Sequence, residues 1–290
     1  MNSVLLRQSD KPSASTCNAL TGERKDNEQS TPTLSGSLIV SGHQPTLFPY
    51  PGFFYRMYHS NIMDLCPYDP FSRHSDRYQH RVKIGKDDDW KWFTLPIEAC
   101  NGCSIMDAKL KIDLMDERWN ELESVYETYP LWGEYKEALK EIFLGYRNLW
   151  ELNFRFILWV RDLLDIKTYI SISYSGKGCD TTERIAYQFS NYGSVIYLAG
   201  KGSAQYLDMQ KYERLTKSTI ALVTYTPPTP FSTVSILTPL LLYPRDKVLD
   251  ILNIRREPIN VIVNGVEYYV DYFISQHLNL SQGLHKTTSQ

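Results

Sequence analysis

An alternation that occurs twice constrains this chain more than any other feature. Residues 168–174 alternate as a strand does, Ser175-Gly176-Lys177-Gly178 follows, and a helix is expected over 180–191. The apolar strand 195–198 then runs into Gly200-Lys201-Gly202-Ser203. Two strands joined by one helix lie parallel with a right-handed crossover, because only that hand packs the helix back onto the sheet. The predicted fold class is therefore α/β, a mostly parallel open sheet with flanking helices. Both Gly-Lys-Gly loops should leave that sheet at its C-terminal edge. Glycine leaves backbone N–H groups accessible and each loop adds a lysine. The first loop also opens onto a helix whose Asp180 and Glu183 have capping-box spacing. Gly176, Lys177, Gly178, Gly200, Lys201 and Gly202 are thus anion-binding candidates, although the P-loop spacing is absent.

Upstream, Leu38-Ile39-Val40 reads as the first buried strand. The stretch from Ser41 to Tyr55 follows, with three prolines and two glycines, a composition that argues against helix or strand. It predicts a stiff loop just past a strand end, where open α/β sheets place their ligands. The loop carries His43, Gln44 and Tyr50. Histidine titrates near neutrality when unperturbed, which suits His43 to general acid–base work, with Gln44 orienting the acceptor.

Short strands are expected at 62–65, 81–84, 90–95, 108–112 and 219–225. A helical insertion spans 116–165, with amphipathic helices at 116–127, 132–146 and 149–164. Leu152, Phe156, Ile157, Val160 and Leu163 mark the buried face of the last. Two further helices are expected at 232–242 and 245–252. Residues 259–263 and 266–270 flank Asn264-Gly265 as a C-terminal β-hairpin with a type I′ turn. Residues 1–36, poor in paired apolar positions, should form a disordered tail. Residues 37–275 should form one α/β domain, and 276–290 should fray.

The formal net charge of −2 argues against broad nucleic-acid binding. It leaves room for a local basic stretch, and Arg73, His74, Arg77, His80, Arg81 and Lys83 make one. No apolar run reaches the ~18 residues that span a bilayer, and the N-terminus lacks a signal-peptide core, so a soluble cytoplasmic protein is expected. Five cysteines suit a reducing compartment. Cys100-Asn101-Gly102-Cys103 reads as a turn with two incidental thiols, since no histidine or second pair completes a zinc site. The residues point to no particular cofactor.

Several short blocks in order resemble the WbqC-like protein family. His43-Gln44-Pro45 with Pro49, Gly52 and Phe54 is similar to its opening HQPNYLPWLGYF. Arg81-Val82-Lys83 matches the end of NRNRIK, and the run from Trp90 to Pro96 resembles WxWLTVPV. Thr182-Glu183-Arg184-Ile185 resembles TERL, Tyr197-Leu198-Ala199-Gly200 resembles TYLSG, Tyr206-Leu207-Asp208 resembles YLD, and Ser235-Ile236-Leu237 resembles SIL. The family's paired aspartates in VFLDDVQF should fall near Cys66-Pro67-Tyr68-Asp69, where at most Asp69 survives, and the aspartate after SIL becomes Thr238.

The resemblance implies a transferase that decorates an amino sugar of a surface polysaccharide, with an aminoacyl group such as glycine as one donor. On that reading His43, Gln44 and Glu183 carry the chemistry. Tyr50, His80, Arg81, Lys83, Arg184 and the two Gly-Lys-Gly loops hold a small-molecule or nucleotide-linked substrate. Direct transfer is favoured, because no Gly-x-Ser-x-Gly elbow or placed cysteine offers a nucleophile. Two other functions stay open: modification of a nucleotide or nucleic-acid base on the same fold, and a non-catalytic binding protein.

Overall fold

The computed structural model describes residues 4–6, 38–73, 78–100, 102–173, 180–254, 259–263 and 266–270. The main sheet has eight strands in the order β1-β6-β3-β2-β7-β8-β9-β10. Its parallel centre comprises β6 (Tyr169–Ile172), β3 (Ile62–Leu65), β2 (Leu38–His43), β7 (Val195–Ala199) and β8 (Thr219–Val223). Strand β1 (Val4–Leu6) extends one edge in parallel. Strands β9 (Ile259–Val263) and β10 (Val266–Val270) extend the other as the expected hairpin, with β9 antiparallel to β8. Most of the predicted tail and frayed end, and the turn at Asn264-Gly265, lie outside the described residues.

Side chains of β2 alternate between two covered faces. Val40 joins Ala186 and Phe189 of α5 (Thr181–Phe189) and Tyr212 of α6 (Met209–Thr216), while Ile39 packs with Tyr55 of α1 (Pro51–Tyr58). Helices cover both faces, as a buried parallel sheet requires. From β2 the chain moves to β3 and β6 on one side, then returns to lay β7 and β8 on the other. The strand order therefore reverses between β2 and β7. In open α/β sheets this reversal opens a crevice at the carboxyl ends of the two strands.

The main hydrophobic core joins β3 and α1 to the antiparallel pair β4 (Arg81–Lys86) and β5 (Asp89–Thr94). It also takes in helices α2 (Met115–Tyr126), α3 (Trp132–Leu144), α4 (Leu149–Leu163), α7 (Leu237–Leu242) and α8 (Arg245–Ile251). Among the described residues, no helix is long and apolar enough to cross a membrane.

Four local expectations need correction. The proline-rich stretch does contain a helix, α1, because Pro51 stands at its first position, where the missing N–H has no intrahelical partner. A β-carbon on Gly52 would lie 2.4 Å from the Tyr50 ring, so glycine lets that ring rest on the first turn. Residues 108–112 make only isolated bridges, Ile97 with Leu110 and Lys109 with Asn148. Helix α7 starts five residues later than expected, since the Ser232 N–H and hydroxyl both donate to Asp87 at 2.8 and 2.6 Å instead of capping it. Cys100 and Cys103 are not free thiols but a disulfide. Helix α6 had no counterpart in the sequence reading.

Candidate functional site

The crevice at the reversal point is built from three elements. Strand β2 ends at Gly42-His43. A β-carbon on Gly42 would stand 2.7 Å from Cζ of Phe189, so only glycine lets α5 pack this closely. Next to it, β7 ends at Ala199 and delivers Gly200-Lys201-Gly202, which opens a short 3-10 turn (Lys201–Gln205). Helix α1 supplies the third element, Arg56.

Arg56 decides the electrostatics. It is only 5% exposed, its Nε is wholly buried without a hydrogen-bond partner, and no carboxylate among the described residues pairs with it. A β-carbon on Gly200 would lie 3.9 Å from the Arg56 Cζ, so the guanidinium sits directly beneath that loop. Its charge also reaches His43. An uncompensated guanidinium in the interior is unfavourable by several kcal/mol, and proteins keep such a charge where a ligand completes it.

His43 Nδ1 lies 2.6 Å from the Gln44 carbonyl. A carbonyl only accepts, so Nδ1 carries the proton and Nε2 keeps its lone pair. The ring meets Phe53 edge-on at 5.1 Å and retains partial exposure. Desolvation, reinforced by Arg56, pushes its pKa down to about 3, with the bond to Gln44 opposing the shift. This corrects the expectation of an imidazole titrating near neutrality. In the free protein His43 is a neutral hydrogen-bond acceptor.

Gln44 has a different task from the one expected. Its amide nitrogen donates to Asp69 at 2.6 Å and its oxygen accepts from Gln79 at 2.9 Å. Asn153 of α4 ties the same loop down by donating to the carbonyls of Pro45 and Gln79 at 3.1 and 2.9 Å. Both hydrogen-bonding ends of Gln44 thus hold the loop rather than face an acceptor. The surviving Asp69 belongs to this network.

Asp180 caps α5, and Glu183 in its first turn is clamped. Lys211 of α6 bridges its carboxylate at 2.7 Å and that of Asp180 at 2.6 Å, and the Glu183 N–H donates to Asp180 at 2.9 Å. Arg184, exposed, donates to Thr181 at 3.2 Å and is not the partner of Glu183. Tyr50 is exposed at the start of α1. His80 is buried, and desolvation with Arg81 and Arg73 nearby holds its pKa at about 4. Arg81 and Lys83 lie on the β4–β5 hairpin over tryptophan rings rather than in the crevice. Gly176, Lys177 and Gly178 fall outside the described residues. The strand before them, β6, runs parallel to β7.

The sequence reading missed two crevice-edge groups, Arg56 and Asp64. Asp64 is fully buried at the end of β3 and accepts from the Tyr192 hydroxyl at 3.2 Å. A faint signal existed for both, since each is the one charged residue in an otherwise apolar run: Phe53-Phe54-Tyr55-Arg56-Met57 and Ile62-Met63-Asp64-Leu65. Tyr206, 55% exposed and hydrogen-bonded to Ser203 at 3.0 Å, adds an aromatic beside the Gly200 loop.

The model of the WbqC-like protein family matches residues 44–233, which run from Gln44 just past β2 through α1, β3 and the Gly200 loop. The chain belongs to the WbqC-like family. That span contains Arg56, Asp64 and Gly200 and excludes the C-terminal β-hairpin. No curated protein matches the chain.

Proposed function

We propose that this WbqC-like protein is a group-transfer enzyme that holds the anionic part of a donor on Arg56 and the Gly200 loop and presents the acceptor to His43. The buried, uncompensated Arg56 guanidinium at the strand-order reversal carries this reading. A phosphate or carboxylate there would accept from the guanidinium in the bidentate geometry arginine favours, with Lys201 and the N–H groups of the loop alongside.

The acceptor's amine or hydroxyl would attack the electrophilic carbon of the transferred group. A new N–C or O–C bond forms, the bond to the leaving group breaks, and its electron pair departs with the leaving group toward Arg56. The acceptor's proton passes to His43 Nε2. A bound anion opposes the field of Arg56, which raises the His43 pKa from its depressed value when a donor is present. The family resemblance adds the finer terms, an amino-sugar acceptor and an aminoacyl donor such as glycine.

Thermal-shift titration with nucleotide-linked sugars and phosphorylated or aminoacyl donors tests this, since a ligand of the folded state stabilises by mass action. Arg56→Gln should lose the ligand-dependent shift. His43→Gln should keep the shift and lose turnover. Wild-type binding and turnover in Arg56→Gln would overturn the reading.

A further inference from the structure

We infer that the outer face of the β4–β5 hairpin, together with the cavity at its open end, is a docking track for single-stranded nucleic acid. The surface lies on other elements than the crevice and stands independently of the transfer reading.

The hairpin's two faces differ sharply. Val82, Ile84 and Phe93 point into the core, while Arg81, Lys83, Trp90, Trp92 and Thr94 occupy the other side. On that side cations and rings are interleaved. The Arg81 Cζ stands 3.9 Å from the centroid of the Trp92 ring. The Lys83 Nζ stands 4.0 Å from that of Trp90 and 5.7 Å from that of Trp92. Tyr78 extends the row, 5.8 Å from Trp92, and both Tyr78 and Trp90 are 40% exposed. Thr94, paired with Arg81, leads into a cavity of about 250 Å³ that Arg73, His80 and Lys111 also line. His80 is 7% exposed and its Nδ1 has no hydrogen-bond partner.

Charge selects the occupant. Among the described residues, Arg73, Arg81, Lys83 and Lys111 have no carboxylate partner, whereas Lys91 on the hairpin's inner side pairs with Glu121 at 3.7 Å. Four cations without a carboxylate partner among the described residues on one track stand out in a chain of net charge −2. A neutral sugar would leave them unpaired, and an acidic peptide would leave the ring faces unused. A duplex hides its base faces. Strands of six residues span about 20 Å, more than one nucleotide covers. Stackable faces alternating with phosphate-binding cations are the chemistry of single-strand recognition. Asp88 and Asp89 at the turn bound the track at its far end.

The test is fluorescence anisotropy of labelled mixed-sequence 12-mers of DNA and RNA, starting at about 50 mM salt, where phosphate contacts are strong. Wild type should bind, with log affinity falling against log salt at a slope of roughly −3, as four phosphate contacts to a single strand imply. Trp90→Ala and Trp92→Ala should each weaken binding about tenfold at unchanged slope. Arg81→Gln and Lys83→Gln should each reduce the slope by about 0.7. Arg56→Gln should bind the oligomers like wild type, which separates this surface from the crevice. Absence of binding, a mononucleotide that binds as tightly as the 12-mer, equal competition by heparin, or tryptophan variants of wild-type affinity and unchanged melting temperature would each overturn the proposal.

Discussion

Arg56 and Arg81 are both arginines without a carboxylate partner, yet the molecule treats them in opposite ways. Arg56 lies beneath Gly200 in the low-dielectric interior, 5% exposed, with a wholly buried Nε that nothing completes. Arg81 lies on the hairpin's outer face and is only half-buried; its Nε too is buried without a hydrogen-bond partner, but the Trp92 ring supplies partial compensation 3.9 Å from its Cζ. A cation near the surface tolerates a weak partner because solvent screens it, whereas a buried one does not. The contrast teaches that the two arginines differ in degree of burial and in the aromatic partner that only Arg81 has, so the crevice is the less favourable of the two without a ligand.

Acidification should produce the largest effect. His43 and His59 are held neutral down to about 3 and His80 down to about 4, desolvation being the first cause in each. Their folded-state values lie below the unfolded one near 6.5, so the unfolded chain binds protons that the folded chain refuses. Stability is fully present above about pH 6.5 and falls as pH drops toward 4, at up to about 4 kcal/mol per unit if all three contribute. Denaturant melts at pH 7, 6 and 5 would show this. Replacing His80 with Asn should flatten the hairpin side's share and His43→Gln the crevice side's. An unchanged melt at pH 5 would mean that these histidines are hydrated.

The paired substitutions Arg56→Met and Arg81→Met break the comparison directly. Relieving the buried charge should stabilise the free protein by about 1–3 kcal/mol while removing its anion response. Losing the stacked guanidinium should destabilise by no more than about 1 kcal/mol. Opposite signs in the two denaturant curves are expected. Strong destabilisation by Arg56→Met would show that the protein itself completes that charge.

The smallest effect should come from deleting residues 1–36. The three described residues of β1 pair only at the sheet edge, beyond β6, and neither Arg56 nor Arg81 lies against them. A melting shift below about 2 °C is expected by differential scanning calorimetry. A larger loss would make β1 part of the cooperative fold.

The parallel strands at 168–174 and 195–198 were legible because alternation and loop composition are local signals, and the opening family blocks marked the right strand end at His43. Helix α1 was not legible. Its prolines and glycines read as a loop until Pro51 is seen at a helix start and Gly52 under the Tyr50 ring. That error hid Arg56. The roles first given to Gln44 and Glu183 also depended on partners distant in sequence, Asp69 and Gln79 for one and Lys211 for the other.

What the sequence determined alone is the α/β class, the amphipathic insertion and the family. All of these follow from residue periodicity and short ordered blocks. Tertiary structure alone decided that Arg56 is buried beneath Gly200, that His43 is neutral, and that Arg81 and Lys83 stack on tryptophans outside the crevice. Burial, field and pairing depend on what the folded chain brings within a few ångströms, and neighbours along the sequence do not carry that information.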